Sequence, residues 1–240
     1  MNEPSATFQL FGLTFDWTTI ISTLVSMAIV IIVAAVLAYK PSIRPNKRQN
    51  ALEYALDFIK GVLGDSLPKD MARQFSLFGF ALFLFLFVSN ELGIILQVKF
   101  GDVTYLKSPT AQPLIPFSLA IMSLAVAHGI GVKALGFGGY LKNLLFKPYI
   151  AMFPINVVEQ FTNFLTLAMR LFGNIFAGEI MLNLIADSMG WPGHFNGIMT
   201  IVAVPLLVLW QGFSLLIGAI QAYVFVMLTG VYISQLSGNE

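Results

Sequence analysis

From Trp17 to Tyr39 the chain holds no Asp, Glu, Lys or Arg, and so long an apolar run predicts a membrane-spanning helix over 17–39. It stops at the basic stretch that begins Lys40-Pro41 and runs to Arg48, where Pro41 and Pro45 cannot continue a helix. The pattern then changes. Over 50–63, Leu52, Leu56, Ile59 and Leu63 recur at helical spacing, with Asn50, Glu53, Asp57 and Lys60 opposite them. A helix so short and two-faced predicts a place on the membrane surface rather than across it. Two further apolar runs predict spans over 74–98 and 112–133, separated by a polar loop from Lys99 to Thr110. The later one closes at Lys133 and a turn marked by Gly136, Gly138 and Gly139, and an interfacial segment follows over 141–149.

Pro154 suits the first turn of a long helix over 154–187. Turn signals gather at Gly190-Trp191-Pro192-Gly193 and Asn196-Gly197, and none follows from Ile198 to Gln235. As one helix that last stretch would extend ~57 Å, nearly twice a ~30 Å hydrocarbon core. A long, strongly tilted helix over 197–235 is therefore expected, paired as a hairpin with 154–187, and Pro205, Gly212 and Gly218 are places for it to bend. The class is all-α: a polytopic membrane protein read as a single domain over 1–240, with about five membrane helices and one or two interfacial amphipathic helices.

Composition agrees and narrows the functions. The chain is 57% hydrophobic and 10% charged, with a mean hydropathy of +0.81. Its formal net charge of +1 offers no field for nucleic acid. There is no Cys, and the two histidines, His128 and His194, lack metal-ligand spacing, so neither a metal nor another cofactor is expected. The N-terminal residues carry no basic stretch of a secretory signal, and Met1 is read as the mature start. With the N-terminus outside, Lys40, Arg44, Lys47, Arg48, Lys60, Lys69, Arg73, Lys133, Lys142 and Lys147 fall inside, against Lys99 and Lys107 outside. That asymmetry predicts a cytoplasmic C-terminus.

One residue breaks the apolar pattern from Ala151 to Ala186: Arg170, in the sequence MRLFGNIFAGE from Met169 to Glu179. A guanidinium in hydrocarbon costs ~2.5–3.5 kcal/mol even on lenient insertion scales, and it cannot escape by losing its proton. On an ideal helix Glu159, Asn163, Thr166 and Asn174 lie within about 40° of Arg170, a polar stripe bordered by the small Gly173 and Ala177. Glu159 stands ~16 Å to one side of Arg170 along the axis and Glu179 ~13 Å to the other. Neither reaches the guanidinium. A fixed cation flanked by two proton-exchanging carboxylates describes two aqueous half-paths with an electrostatic barrier between them; a closed, ion-paired bundle is the structural alternative. Ser214, Gln221 and Tyr232 share a stripe on the last helix. A turn near Asn196-Gly197 would bring Gln221 level with Arg170 and Ser214 level with Glu179, where Gln221 could orient the guanidinium without neutralising it. Asp16 is read mainly as a cap of the first helix, His128 as a bundle hydrogen-bonder and His194 as a loop residue. The pair Asn90-Glu91 ends a span and calls for no function.

These residues resemble subunit a of the F-type ATP synthases, the membrane stator that works against a rotating c-ring. The resemblance rests on Met169 to Glu179, on IQAYVFVMLTGVYIS from Ile220 to Ser234 and on SPTAQ from Ser108 to Gln112, and the order of spans extends it over nearly the whole chain. It implies that Arg170 faces the ring carboxylate, that Asn174 and Gln221 support it, that Glu179 lies in the outer half-channel and Glu159 in the inner one. It also implies a ring of c subunits, b-type peripheral stalk subunits and the other ATP synthase subunits as partners, lipid around them, and a bacterial plasma membrane. The chain departs from the family in three ways. Neither Gly178 nor Ser214 is the histidine many members carry, Gln112 stands where an acid often follows the PTA triplet, and Glu159 is nearer to Arg170 than in many members. No nucleotide-binding motif is present, so the expectation is ion translocation without catalysis by this chain. A stand-alone secondary transporter, which would carry internal repeats or paired broken helices, and a non-transporting scaffold are the rival readings.

Overall fold

The computed structural model describes residues 7–10, 13–39, 42, 46–95, 98–100, 103–146, 153–188 and 197–238. Six α-helices follow one another: α1 (Trp17–Leu37), α2 (Lys47–Gly64), α3 (Lys69–Ile95), α4 (Leu114–Phe146), α5 (Phe153–Ser188) and α6 (Gly197–Ser237). Five of them are long and apolar enough to cross a membrane; α2 is the exception. Much of Lys40 to Pro45, the turn residues Gly190 to Asn196 with His194, and Lys147 to Tyr149 lie outside the described residues.

Local chemistry sets the helix ends. Asp16 caps α1: its Oδ1 accepts from the Thr18 backbone N–H at 3.0 Å and its Oδ2 from the Thr19 hydroxyl at 2.9 Å. Pro68 precedes α3, and its carbonyl accepts from the Ala72 N–H at 2.9 Å, so the helix starts at Lys69, ahead of the first residue of the run predicted for 74–98. Pro154 occupies the first turn of α5. Inside α4, Gly136 has φ 70° and ψ 160°, a conformation that needs a glycine, so the span and the segment after it form one helix broken at that residue. At the far end Gly238, with φ 74°, closes α6 in the left-handed manner.

Two short antiparallel hairpins accompany the helices: β1 (Thr7–Leu10) with β2 (Leu13–Asp16), and β3 (Val98–Phe100) with β4 (Val103–Leu106). The second lies in the stretch read from the sequence as a polar loop. The hairpins leave the helical class unchanged.

The chain forms two compact units. One gathers Met1–Ile29, Phe85–Ile115 and Leu171–Gln221. Its centre is polar and tightly bonded. Pro109–Ala111 is a buried 3-10 turn, and Ser108 donates to the Ser89 carbonyl at 3.0 Å. Thr110 donates to Asn90 Oδ1 at 2.8 Å, and Asn90 Nδ2 donates to the Gly218 carbonyl at 3.0 Å. Buried amides and hydroxyls in an apolar setting persist only when bonded in this way. Gln112 adds a bond to Asp16 Oδ2 at 3.0 Å, and the Lys107 N–H donates to Ser22 Oγ at 3.2 Å.

The other unit gathers Val30–Leu84, Pro116–Arg170 and Ala222–Glu240. The apolar stripe of α2 does not stay at a surface here: Ile59 and Leu63 are only 1% and 2% exposed. They pack where Gly79 of α3 and Gly230 of α6 leave room, with Val226 beside Gly79 and with Phe58 against Phe83 and Tyr223. Asp57 and Lys60 remain outside, paired at 2.9 Å. His128 is a bonded bundle residue, its Nδ1 2.6 Å from the Tyr140 hydroxyl past the break at Gly136. Tyr140→Phe is expected to cost about 1 kcal/mol, the usual net worth of one hydrogen bond, read as a small fall in the thermal midpoint of the purified protein.

Candidate functional site

The polar stripe predicted on the long fifth helix exists as one uninterrupted α5, 36 residues long. Its buried side is apolar: Leu167 and Leu171 are fully buried and Ile175 nearly so. Glu159, Thr166, Arg170 and Asn174 are exposed, and Asn163 is half-buried. Met169, the neighbour of Arg170, and Leu184 further along the helix are exposed as well, at 46% and 57%. So much apolar surface next to a guanidinium marks a face that meets lipid or another protein. Ala177 is exposed and Gly173 half-buried, so near Arg170 the face is low enough for a neighbouring helix to come close.

Among the described residues none forms a hydrogen bond or an ion pair with Arg170, and neither Glu159 nor Glu179 clamps it. Four residues beyond Arg170, Asn174 Nδ2 donates to Gln221 Oε1 at 2.7 Å. Gln221 is 3% exposed, and its Nε2 is buried without a hydrogen-bond partner. Gln221 is thus bonded to Asn174, one turn from Arg170.

About one turn further along α5 from Asn174, α5 and α6 are close together. Trp210 Nε1 donates to the Gly178 carbonyl at 3.2 Å. Ser214 faces Gly178, with its Oγ 3.5 Å from where a Cβ at 178 would lie, an ordinary contact distance. That hydroxyl is buried and has no partner. A cavity of about 200 Å³ opens there, lined by Asn174, Gly178, Ser214, Ile94 and Trp210 among others. Its volume and its unsatisfied polar atoms suit several water molecules.

Glu179 follows Gly178 and is half-buried. Its Oε2 lies 3.4 Å from Lys107 Nζ, two residues before the buried 3-10 turn. Sequence reasoning missed that partner, because the pair joins residues far apart in the chain with no periodicity linking them. It also missed Gln211, whose Nε2 donates to the Ile94 carbonyl, and it set aside Glu91. Among the described residues there is no cluster of His, Cys, Asp and Glu able to hold a metal ion.

Known proteins fit this arrangement. A protein named ATP synthase subunit a from Limosilactobacillus fermentum is 44% identical over 241 residues, covering 100% of both chains. One of the same name from Pediococcus pentosaceus is 45% identical over 239 residues, 99% of each. Another, from Enterococcus hirae, is 48% identical over 179 residues, 74% of each. The profile of the family described as ATP synthase A chain matches residues 20–234. On that match, and on relatives alike from end to end, the chain belongs to the ATP synthase A chain family.

Proposed function

We propose that this chain is the proton-translocating stator subunit of an F-type ATP synthase in a bacterial plasma membrane, with its N-terminus outside and its C-terminus in the cytoplasm. It works against a rotating ring of c subunits, held by b-type peripheral stalk subunits and the rest of the complex, and has no catalytic step of its own. Protons come from outside past Glu179 and load a ring carboxylate. They ride nearly a full rotation and leave to the inside past Glu159. Arg170 stands between the two routes and prevents a direct leak, since a proton crossing there would have to pass a fixed cation. A ring carboxylate arriving opposite that cation releases its proton, because the charged form is favoured beside it. At 100 mV each charge crossing supplies ~2.3 kcal/mol, so several crossings are needed for each demanding chemical step elsewhere in the complex.

The observation that carries this reading is Arg170, exposed and unpaired among the described residues on a face lowered by Gly173 and Ala177. The cavity at Asn174 and Ser214, large enough to admit water, supports an outer route, and the bond between Asn174 and Gln221 holds two polar side chains one turn from the cation. Asn163 lies on the inner side of the same stripe. Replacing Glu179 by Gln tests the route. ATP-driven proton pumping in membrane vesicles should slow about tenfold, a modest loss on the scale of proton-transfer groups, while ATP hydrolysis stays coupled. Full-rate pumping would remove Glu179 from the path.

A further inference from the structure

The unit of the chain that holds Glu179 contains a second carboxylate that the reading above does not use. Glu91 sits in the last turn and a half of α3. Its Oε1 is buried and has no hydrogen-bond partner. The same oxygen lies against Gly218 of α6, where an added Cβ would be 3.1 Å away. Any other residue at 218 would push into the carboxylate, so the glycine leaves room for it. Asn90 is bonded to the carbonyl of that glycine, which fixes the backbone on both sides of the contact.

Glu91 lies close in the chain to residues that line the cavity beside Asn174. Ile94, one turn along α3 from Glu91, lines it, and so does Ser214, one turn along α6 from Gly218. The opposite wall is Gly178, the neighbour of Glu179. Each of the two carboxylates thus stands within one helical turn, along its own helix, of a residue that lines this cavity, and the cavity wall supplies an unpartnered hydroxyl, Ser214 Oγ. The other charged side chains described in this unit have other engagements or positions. Asp16 is bonded to Thr19 and Gln112, Lys107 is paired with Glu179, and Asp187 is exposed near the end of α5. Between Gly197 and Ser237, α6 contributes no Asp, Glu, Lys or Arg. An unpaired carboxylate oxygen at such a place needs a proton or a water molecule, because leaving it dry and charged is costly.

We propose that Glu91 is a second proton-exchanging residue of the outer route, taking a proton from water and handing it to water in the cavity that leads toward Asn174. Only O–H bonds form and break: the carboxylate gains one proton from a hydronium and returns it to another water. This rests on the reading of the chain as a proton-translocating stator. Uptake from outside is where such a residue matters most, and its contribution grows as protons become scarce there.

The test uses the assembled complex in vesicles driven to make ATP by an imposed gradient, with the outer-side pH varied. Glu91→Gln keeps the size and packing of the side chain and removes the proton exchange. Synthesis should fall about tenfold at alkaline outer pH and by much less at acidic outer pH. Glu91→Asp should restore most of the rate. The idea is overturned if Glu91→Gln matches the parent at every pH. It is equally overturned if the loss is the same at every pH or follows a drop in assembled complex, either of which marks a packing role. Arg170→Ala run in parallel separates the two levels. If that variant still translocates, the stator reading itself fails; if it does not and Glu91→Gln is silent, only the role of Glu91 is lost.

Discussion

Vesicles carrying Arg170→Ala are expected to show no ATP-driven proton pumping, although the complex still assembles. The expectation follows from what surrounds the side chain. Arg170 is exposed and makes no hydrogen bond or ion pair with the described residues, so its removal leaves no buried group unsatisfied within the chain and opens no core. Leu167 and Leu171, which carry the packing of that part of α5, are untouched. The cost of holding a cation in the membrane, ~2.5–3.5 kcal/mol at least, even disappears. Folding therefore has no reason to fail, whereas the barrier and the discharge of the ring carboxylate both depend on the positive charge. The amount of complex in the membrane and the acidification of the vesicle lumen measure the two halves of the statement. A scaffold would keep pumping.

Gly93→Ala has the opposite profile, a loss of structure that drags function with it. A Cβ at Gly93 would overlap the Cα and Cβ of Ser108. These belong to a backbone segment held in place, so nothing flexible can move aside. Separating α3 from that segment breaks the bond from Ser108 to the Ser89 carbonyl and strains that from Thr110 to Asn90. It also shifts Lys107, the partner of Glu179. Overpacking in a filled core costs typically 1–3 kcal/mol, and a backbone obstacle puts this site at about 3 kcal/mol or above. Little assembled complex should be recovered after mild heating, and pumping per cell should fall in proportion. Gly61→Ala on α2, where a Cβ meets nothing within 4 Å, is the control and should gain about 0.5–1 kcal/mol. Equal stability of the two variants would refute the packing described around Ser108.

The contrast between these two sites explains what could be read from the sequence. Charge-free runs and prolines gave the helices, because the bilayer imposes a length and hydrocarbon tolerates few other structures. The ends of α5 and α6 differ by at most two residues from those expected at 154–187 and 197–235. Arg170 stood out for the same reason, as a cation where solvation is poor. What stayed hidden depends on contacts between distant parts of the chain. Lys107 beside Glu179 and the filled place at Gly93 have no periodic signature, and the periodicity that marks Ile59 and Leu63 as apolar does not say what they pack against. Glu91 looked like an ordinary polar residue at a span end, and only its position against Gly218 distinguishes it. The pairing of β3 with β4 was not foreseen, because the polarity of Lys99 to Thr110 reads as a loop.

The central claim is that the charge of Arg170 separates two routes that would otherwise join, and passive proton conductance tests it most directly. Vesicles stripped of the catalytic head, with the ring cross-linked to the stator so that it cannot turn, are given a diffusion potential and their lumenal pH is followed. The account predicts that the parent protein stays proton-tight in this state while Arg170→Ala leaks. A parent that conducts with its ring locked, or an alanine variant as tight as the parent, would contradict it.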